Sequence, residues 1–262
     1  MLIPRALILL VVALLCTGTI TSNARDARKP NVIFFIADDL GYGDIGPFGQ
    51  TKIRTPNLDR MAREGIKLTQ HYSGSPVCAP SRCVLMTGKH PGHSVSRDNH
   101  EIRPEGQFPL PDEEVTIAEL FKKAGYVTGA FGKWGLGNPE STGNPLKQGF
   151  DRFFGYNCQR VAHNLYPTYL YDNNERVELK NPQFPAHQKL PAQADPNNPD
   201  SYKRYNGNEY APDLYSAEAL RFIRKNHDKP FFLYYPTIIP HLALQVPDDS
   251  LHEYLGMFAE RP

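Results

Sequence analysis

The sequence predicts an α/β domain on a mostly parallel sheet flanked by helices, and three observations carry that expectation. Residues 31–37 (Asn-Val-Ile-Phe-Phe-Ile-Ala) form an unbroken apolar run, the mark of a strand buried on both faces of a parallel sheet. Beyond it, strand-like runs alternate with helix-like segments, as in successive βαβ units. A hydrophobic fraction of 40% over 262 residues supplies a sizeable core. With 22% charged residues it excludes collagen-like, disordered and membrane-embedded classes.

The elements follow in order. Residues 55–64 read as a helix, with Pro56 suited to its first position and Gly65 to its stop. Residues 66–72 read as a strand, and residues 80–86 as a short helix ending at Gly88. Thr116 with Glu119 is a capping box that opens a helix through Lys123, closed by Gly125. Residues 126–131 are strand-like. Residues 213–226 form an amphipathic helix with Leu214, Ala217, Leu220 and Phe222 or Ile223 on one face. Residues 230–235 make the last clear strand. Between about 138 and 212 the pattern breaks down into a stretch rich in Pro, Asn, Gln and Tyr, including Pro182, Pro185, Pro191, Pro196 and Pro199. A stretch this long without regular structure reads as a functional insertion or cover.

Residues 1–24 are set apart as a secretory signal peptide. Arg5 precedes an apolar run from Ala6 to Cys16, and small polar residues lead to a cleavage site expected after Ala24. The run is far shorter than the roughly 20 residues that cross a bilayer, and Leu15 before Cys16 does not suit a lipid anchor. An exported protein with no membrane attachment after cleavage is expected, its domain covering residues 25–262. Removing Arg5 leaves equal numbers of basic and acidic side chains, so there is no electrostatic footprint for nucleic acid. Cys78, Cys83 and Cys158 remain, an odd count that leaves at least one thiol unpaired.

In open α/β sheets the working residues collect beyond the carboxyl ends of strands. Asp38 and Asp39 follow the first strand, Lys133 follows the strand ending near Phe131, and His241 follows the one ending near Tyr235. Cys78-Ala79-Pro80-Ser81-Arg82 places a sulfur at the mouth of a helix, where backbone N–H groups and the dipole favour negative charge. Each piece also has a plainer reading. The paired aspartates suit a turn as well as a metal, Cys78 suits a buried or bridged thiol, Lys133 a solvated surface and His241 an ordinary loop. Their arrival at one edge of one sheet favours a site.

Cys78-Ala79-Pro80-Ser81-Arg82 followed by Leu85-Met86-Thr87-Gly88 resembles the signature of type I sulfatases. Residues 30–44, residues 55–59, Gly132-Lys133-Trp134 and the run from residue 231 to Pro240-His241 match further landmarks of that family in order. The likeness extends from Pro30 to about Val246 and is greatest to exported bacterial enzymes like arylsulfatase A. It implies the alkaline-phosphatase-like fold and hydrolysis of sulfate monoesters. It also implies oxidation of Cys78 to formylglycine by a maturation enzyme, whose hydrate attacks sulfur and then expels sulfate. Asp38, Asp39 and residue 78 would hold Ca²⁺, Arg82 the hydrate and Lys133 the sulfate. His241 would help protonate the leaving oxygen. A small-molecule or carbohydrate sulfate ester is the implied substrate. A phosphonate or phosphate ester hydrolase of the same superfamily, or a non-catalytic fragment, are the alternatives.

Two departures qualify the likeness. The family commonly carries Gly-Lys-Trp-His-Leu-Gly, whose His is the presumed base, and here Gly135 stands at that place. His163 is the expected substitute, with His90 and His93 as weaker candidates. The family's later Asp-Asn metal ligands follow a strand beyond the position of His241, so an N-terminal portion, apparently truncated at Pro262, is expected.

Overall fold

The computed structural model describes residues 29–258 apart from 104, 186, 187 and 244. The expected signal peptide at residues 1–24 lies outside the described residues. Among the described residues six strands form one sheet: β1 (Val32–Ala37), β2 (Val127–Lys133), β3 (Arg152–Tyr156), β4 (Tyr169–Asp172), β5 (Glu175–Glu178) and β6 (Phe231–Thr237). Their spatial order is β1-β6-β2-β3-β4-β5. The first four in that order run parallel, and β4 and β5 add an antiparallel hairpin. The α-helices among the described residues are α1 (Pro56–Glu64), α2 (Cys78–Thr87), α3 (Ile117–Lys123), α4 (Ala211–Asn226) and α5 (Asp248–His252), with short 3₁₀ turns in the connections.

The central strands are apolar on both faces because both faces are covered. Along β6, Phe231 and Leu233 join one core with Phe131, Tyr156, Leu165, Tyr215 and Phe222, lined by α4. Phe232 and Tyr234 join the opposite core with Met86, Trp134, Phe150 and Phe153, lined by α2 and α3. Phe121 stacks on Phe232 with ring centroids 4.3 Å apart. Fully burying such a ring contributes about 1.5–3 kcal/mol. Thr116 and Glu119 make the expected capping box: Thr116 Oγ1 accepts from the Glu119 N–H at 3.2 Å, and Glu119 Oε2 accepts from the Thr116 N–H at 2.7 Å.

Four expectations are corrected. First, β1 is an edge strand buried on one face only. Val32, Phe34 and Ile36 pack on the α2–α3 side, while Ile33 and Phe35 are 53% and 60% exposed, because α4 covers the middle of the sheet and not its edge. Second, residues 66–72 form no strand. Ile66 and Tyr72 project into solvent and no described strand pairs with them. Third, the interval 138–212 is not irregular throughout, since it carries β3, β4 and β5. Fourth, Phe222, Leu214 and Ile223 of the expected face of α4 pack on the core, but Tyr215, Ala219 and Asn226 are buried with them and Leu220 is left half exposed. The Tyr215 hydroxyl pairs with Thr237 Oγ1 at 2.9 Å, which fixes that face of the helix inward.

Candidate active site

The four parallel strands end along one edge, and β6 lies between β1 and β2. Asp38 leaves β1 there, Lys133 ends β2, and the chain beyond β6 turns back through His241. The Asp38 N–H donates to Ile239 O at 3.2 Å and the His241 N–H to Ile238 O at 2.9 Å, tying the two turns together. Gly132 lets β2 lie close to the end of β6. A Cβ there would stand 2.2 Å from Pro236 O, and its φ is +130°. Helix α2 points its first residue, Cys78, into the same space, and the Ala79 N–H donates to Asn99 Oδ1 at 2.8 Å.

Asp38 is the electrostatic hub. It accepts from Lys133 Nζ at 2.7 Å through Oδ2 and faces Arg82 at 3.4 Å through Oδ1. All three side chains are buried. Burial alone would raise the Asp38 carboxyl, but the charges of Arg82 and Lys133 outweigh it and hold it below its ordinary range. Arg82 also donates to the carbonyl oxygen of Lys133. Burial would lower its pKa, yet Tyr234 and Asp38 beside it hold it above the usual guanidinium value.

Cys78 and His241 form a second pair. Burial pushes the Cys78 thiol up, and the hydrogen bond to His241 with the charge of Lys133 more than reverses it, leaving the thiol below its ordinary range. The same bond raises His241 against the opposing effect of burial. His241 Nε2 lies 3.5 Å from Asp39 Oδ2. Asp39 has a left-handed φ of +63° and a largely exposed side chain. Asp38, Cys78 and His241 each bring a ligand atom within 4.8 Å of the others. Asp38 and Asp39 offer the oxygen donors that suit Ca²⁺, whereas sulfur does not. With hydroxyl oxygens at position 78 the donors fit calcium in kind and supply part of the six to eight it takes.

The structure also brings His163 to the site. Its ring lies on His241 with centroids 4.3 Å apart and planes 12° from parallel. His90 and His93 do not come here. They follow the far end of α2, and their rings pair with each other, centroids 6.3 Å apart. Cys83 and Cys158 are both buried and free, so they do not pair. Sequence reasoning missed Asn99 and Gln159. Asn99 reaches the start of α2 from a loop with no periodic signal, while Gln159 was marked only indirectly, by the missing side chain at Gly135.

A family model described as Sulfatase matches residues 30–260. The chain belongs to the sulfatase family. N-acetylgalactosamine-6-sulfatase of Rattus norvegicus is 35% identical over 252 residues, covering 90% of this chain and 44% of that protein. Steryl-sulfatase of Mus musculus is 44% identical over 137 residues, covering 49% of this chain and 22% of that protein. The crystal structure of Ps i-CgsB superposes with a TM-score of 0.69 at 30% identity, over 87% of this chain and 49% of that one. The same enzyme is also solved in complex with k-i-k-neocarrahexaose, at 29% identity. The phosphonate monoester hydrolase of Agrobacterium radiobacter shares the fold alone, at 18% identity and a TM-score of 0.54. The sulfatase fold seen here is thus the alkaline-phosphatase-like one, and the chain spans about half the length of the relatives that match along it.

Proposed function

We propose that this chain forms the nucleophile-bearing part of a sulfate monoester hydrolase. The observation that carries the reading is the convergence of Cys78, at the start of α2, on Asp38, Lys133, Arg82 and His241 at the carboxyl edge of the sheet. Converted by a maturation enzyme to a hydrated formylglycine, residue 78 would offer one hydroxyl to attack sulfur and a second whose deprotonation expels sulfate. Ca²⁺ held by Asp38, Asp39 and residue 78 would add positive charge at the site.

The chain's own side chains account for the rest. Lys133 and Arg82 make the floor of the site positive, which favours a sulfate group and the charge that develops on it. His241, hydrogen-bonded to the residue 78 side chain, is placed to give a proton to the leaving oxygen. His163, stacked on His241, is the base we assign where Gly135 offers no side chain. For substrate class we favour a sulfated sugar. The relatives named for N-acetylgalactosamine-6-sulfate and bound to a neocarrahexaose align along nearly the whole chain, and the steryl-sulfatase along half of it. Export through the leader at residues 1–24 belongs to the same proposal, and sequencing the amino terminus of the mature protein tests it.

The test is a paired assay. Protein co-expressed with a formylglycine-generating enzyme should carry the aldehyde at position 78 by peptide mass spectrometry and hydrolyse an aryl sulfate faster than the matched aryl phosphonate. Cys78→Ala should abolish turnover and Cys83→Ala largely spare it. A preference for the phosphonate would move the assignment to the other branch of the superfamily. Full activity with only thiol at position 78 would refute the nucleophile.

A further inference from the structure

Gly135 and Gln159 compete for one volume. A Cβ at position 135 would lie 2.0 Å from Gln159 Nε2 and 2.5 Å from its Cδ, closer than any ordinary van der Waals contact. The amide is not a loose tip that can swing aside. Gln159 is 2% exposed, its backbone N–H donates to Gln107 Oε1 at 2.6 Å, and its Nε2 donates to Gly135 O at 3.4 Å. Gly135 itself follows Trp134, whose N–H donates to Tyr156 O at 2.8 Å, and its own N–H donates to Asn157 O at 3.1 Å. The ends of β2 and β3 therefore hold Gln159 between them.

Gln159 also heads the turn that carries His163. The Ala162 N–H donates to Cys158 O at 3.2 Å and the His163 N–H to Arg160 O at 3.1 Å, closing a 3₁₀ turn over Val161–His163. From that turn the His163 ring meets His241. Buried bulk alone does not explain a glutamine here. An apolar side chain would fill the space without burying an amide oxygen, and Gln159 Oε1 has no hydrogen-bond partner. Such an acceptor is costly in a core.

We propose that Gln159 is a positioning residue: wedged into the volume beside Gly135, it sets the turn that places His163 against His241. A side chain at position 135 and a glutamine at position 159 are then alternatives, and this chain uses the second. The inference rests on the assignment of His163 as base only for its effect on turnover, not for its steric content.

Two measurements test it. The first is a thermal-unfolding cycle. Gly135→Ala should lower Tm less in a Gln159→Ala background than in the wild type, since the clash is then gone and only the strain of its φ of +78° remains. Simple additivity of the two losses would overturn the shared-volume claim. The second uses the matured protein. Gln159→Ala should lower kcat on the order of 10- to 100-fold, the scale of a misplaced catalytic group, with KM unchanged and the His163 ring signals shifted in NMR spectra. Gln159→Met, which restores the bulk without the amide's bond to Gly135 O, should recover most of the Tm and only part of kcat. Unmoved His163 signals and kcat despite a lower Tm would make Gln159 a filler and sink the positioning role. If His163→Ala keeps wild-type rates while Gln159→Ala still shifts the His163 signals, the base assignment fails and the positioning role stands.

Discussion

Lys133 and Asp38 meet at 2.7 Å although their strands are not neighbours, because β6 runs between them and the contact bridges its carboxyl end. Lys133 is fully buried and Asp38 nearly so. A charge in that position depends on its partner for stability and on the site for its purpose. The pair orders the edge of the sheet and keeps a cation beside residue 78.

The first prediction concerns that dependence. Asp38→Ala leaves Lys133 and Arg82 buried without their carboxylate, and breaking a buried pair by removing one partner costs about 3–5 kcal/mol. Urea unfolding should show a loss of that size. The exposed pair Arg54–Glu253 is the control, and Arg54→Ala should leave the midpoint unchanged. Equal effects for the two substitutions would contradict the burial argument.

The second concerns the unconverted thiol. His241 and Lys133 hold Cys78 below the ordinary thiol range, so the thiolate persists to lower pH than in a free cysteine, whose pKa is about 8.5. Alkylation by iodoacetamide should therefore decline at a lower pH than that of a free cysteine measured alongside. His241→Ala should move the profile upward. A profile matching a free cysteine's, unaltered by the substitution, would count against the Cys78–His241 bond.

The third tests His163. In matured protein, His163→Ala should slow turnover roughly 10²- to 10⁴-fold, the contribution of a positioned acid or base, and rapid-quench experiments should trap sulfated enzyme. A wild-type steady-state rate would transfer the base role to solvent or to another group.

The fourth is an acid-stability effect away from the site. Asp151 accepts from the Thr128 N–H at 3.0 Å and the Thr128 hydroxyl at 3.1 Å, and pairs with Lys122 at 2.7 Å. Burial raises its pKa, and these bonds more than reverse the effect, so the folded value is depressed. A depressed acid stabilises the fold above its unfolded pKa of about 3.9, and the benefit disappears as pH falls through the folded value. Asp151→Asn should lower Tm near pH 6, and its gap to the wild type should narrow below about pH 4. A gap independent of pH would refute the linkage.

Much of this was legible in sequence because the signals are local. Pro56, the Thr116–Glu119 box and Gly88 mark helix ends through backbone chemistry, Cys78 opens a helix within a recognisable run, and Asp38, Lys133 and His241 stand at or beyond strand ends. What was hidden depends on partners far along the chain. β3 is short, and Phe153, Phe154 and Tyr156 become a strand by pairing with β2. The β4–β5 hairpin turns at Asn173, whose φ of +56° is a left-handed turn conformation, and the alternation of Leu170 and Val177 with polar neighbours was its weak cue. The face of α4 was read in part: Leu214, Phe222 and Ile223 do pack on the core, and Tyr215 and Ala219 take the place expected of Leu220. Asn99 and Gln159 act through contacts between loops, which no spacing announces.

The pairing of β1 with β6 also sets a timetable. Asn31 Oδ1 accepts from the Phe231 N–H, 200 positions away, and every residue of β1 finds its ladder partner at a similar separation. At a synthesis rate of about 5–20 residues per second, β1 waits on the order of 10–40 seconds before its neighbour exists. Contacts so distant in sequence close slowly even after that. For all of that interval Val32, Phe34 and Ile36 belong to an exposed apolar segment. The floor of the site, with Asp38 at the end of β1, is therefore synthesised well before the strand that completes it.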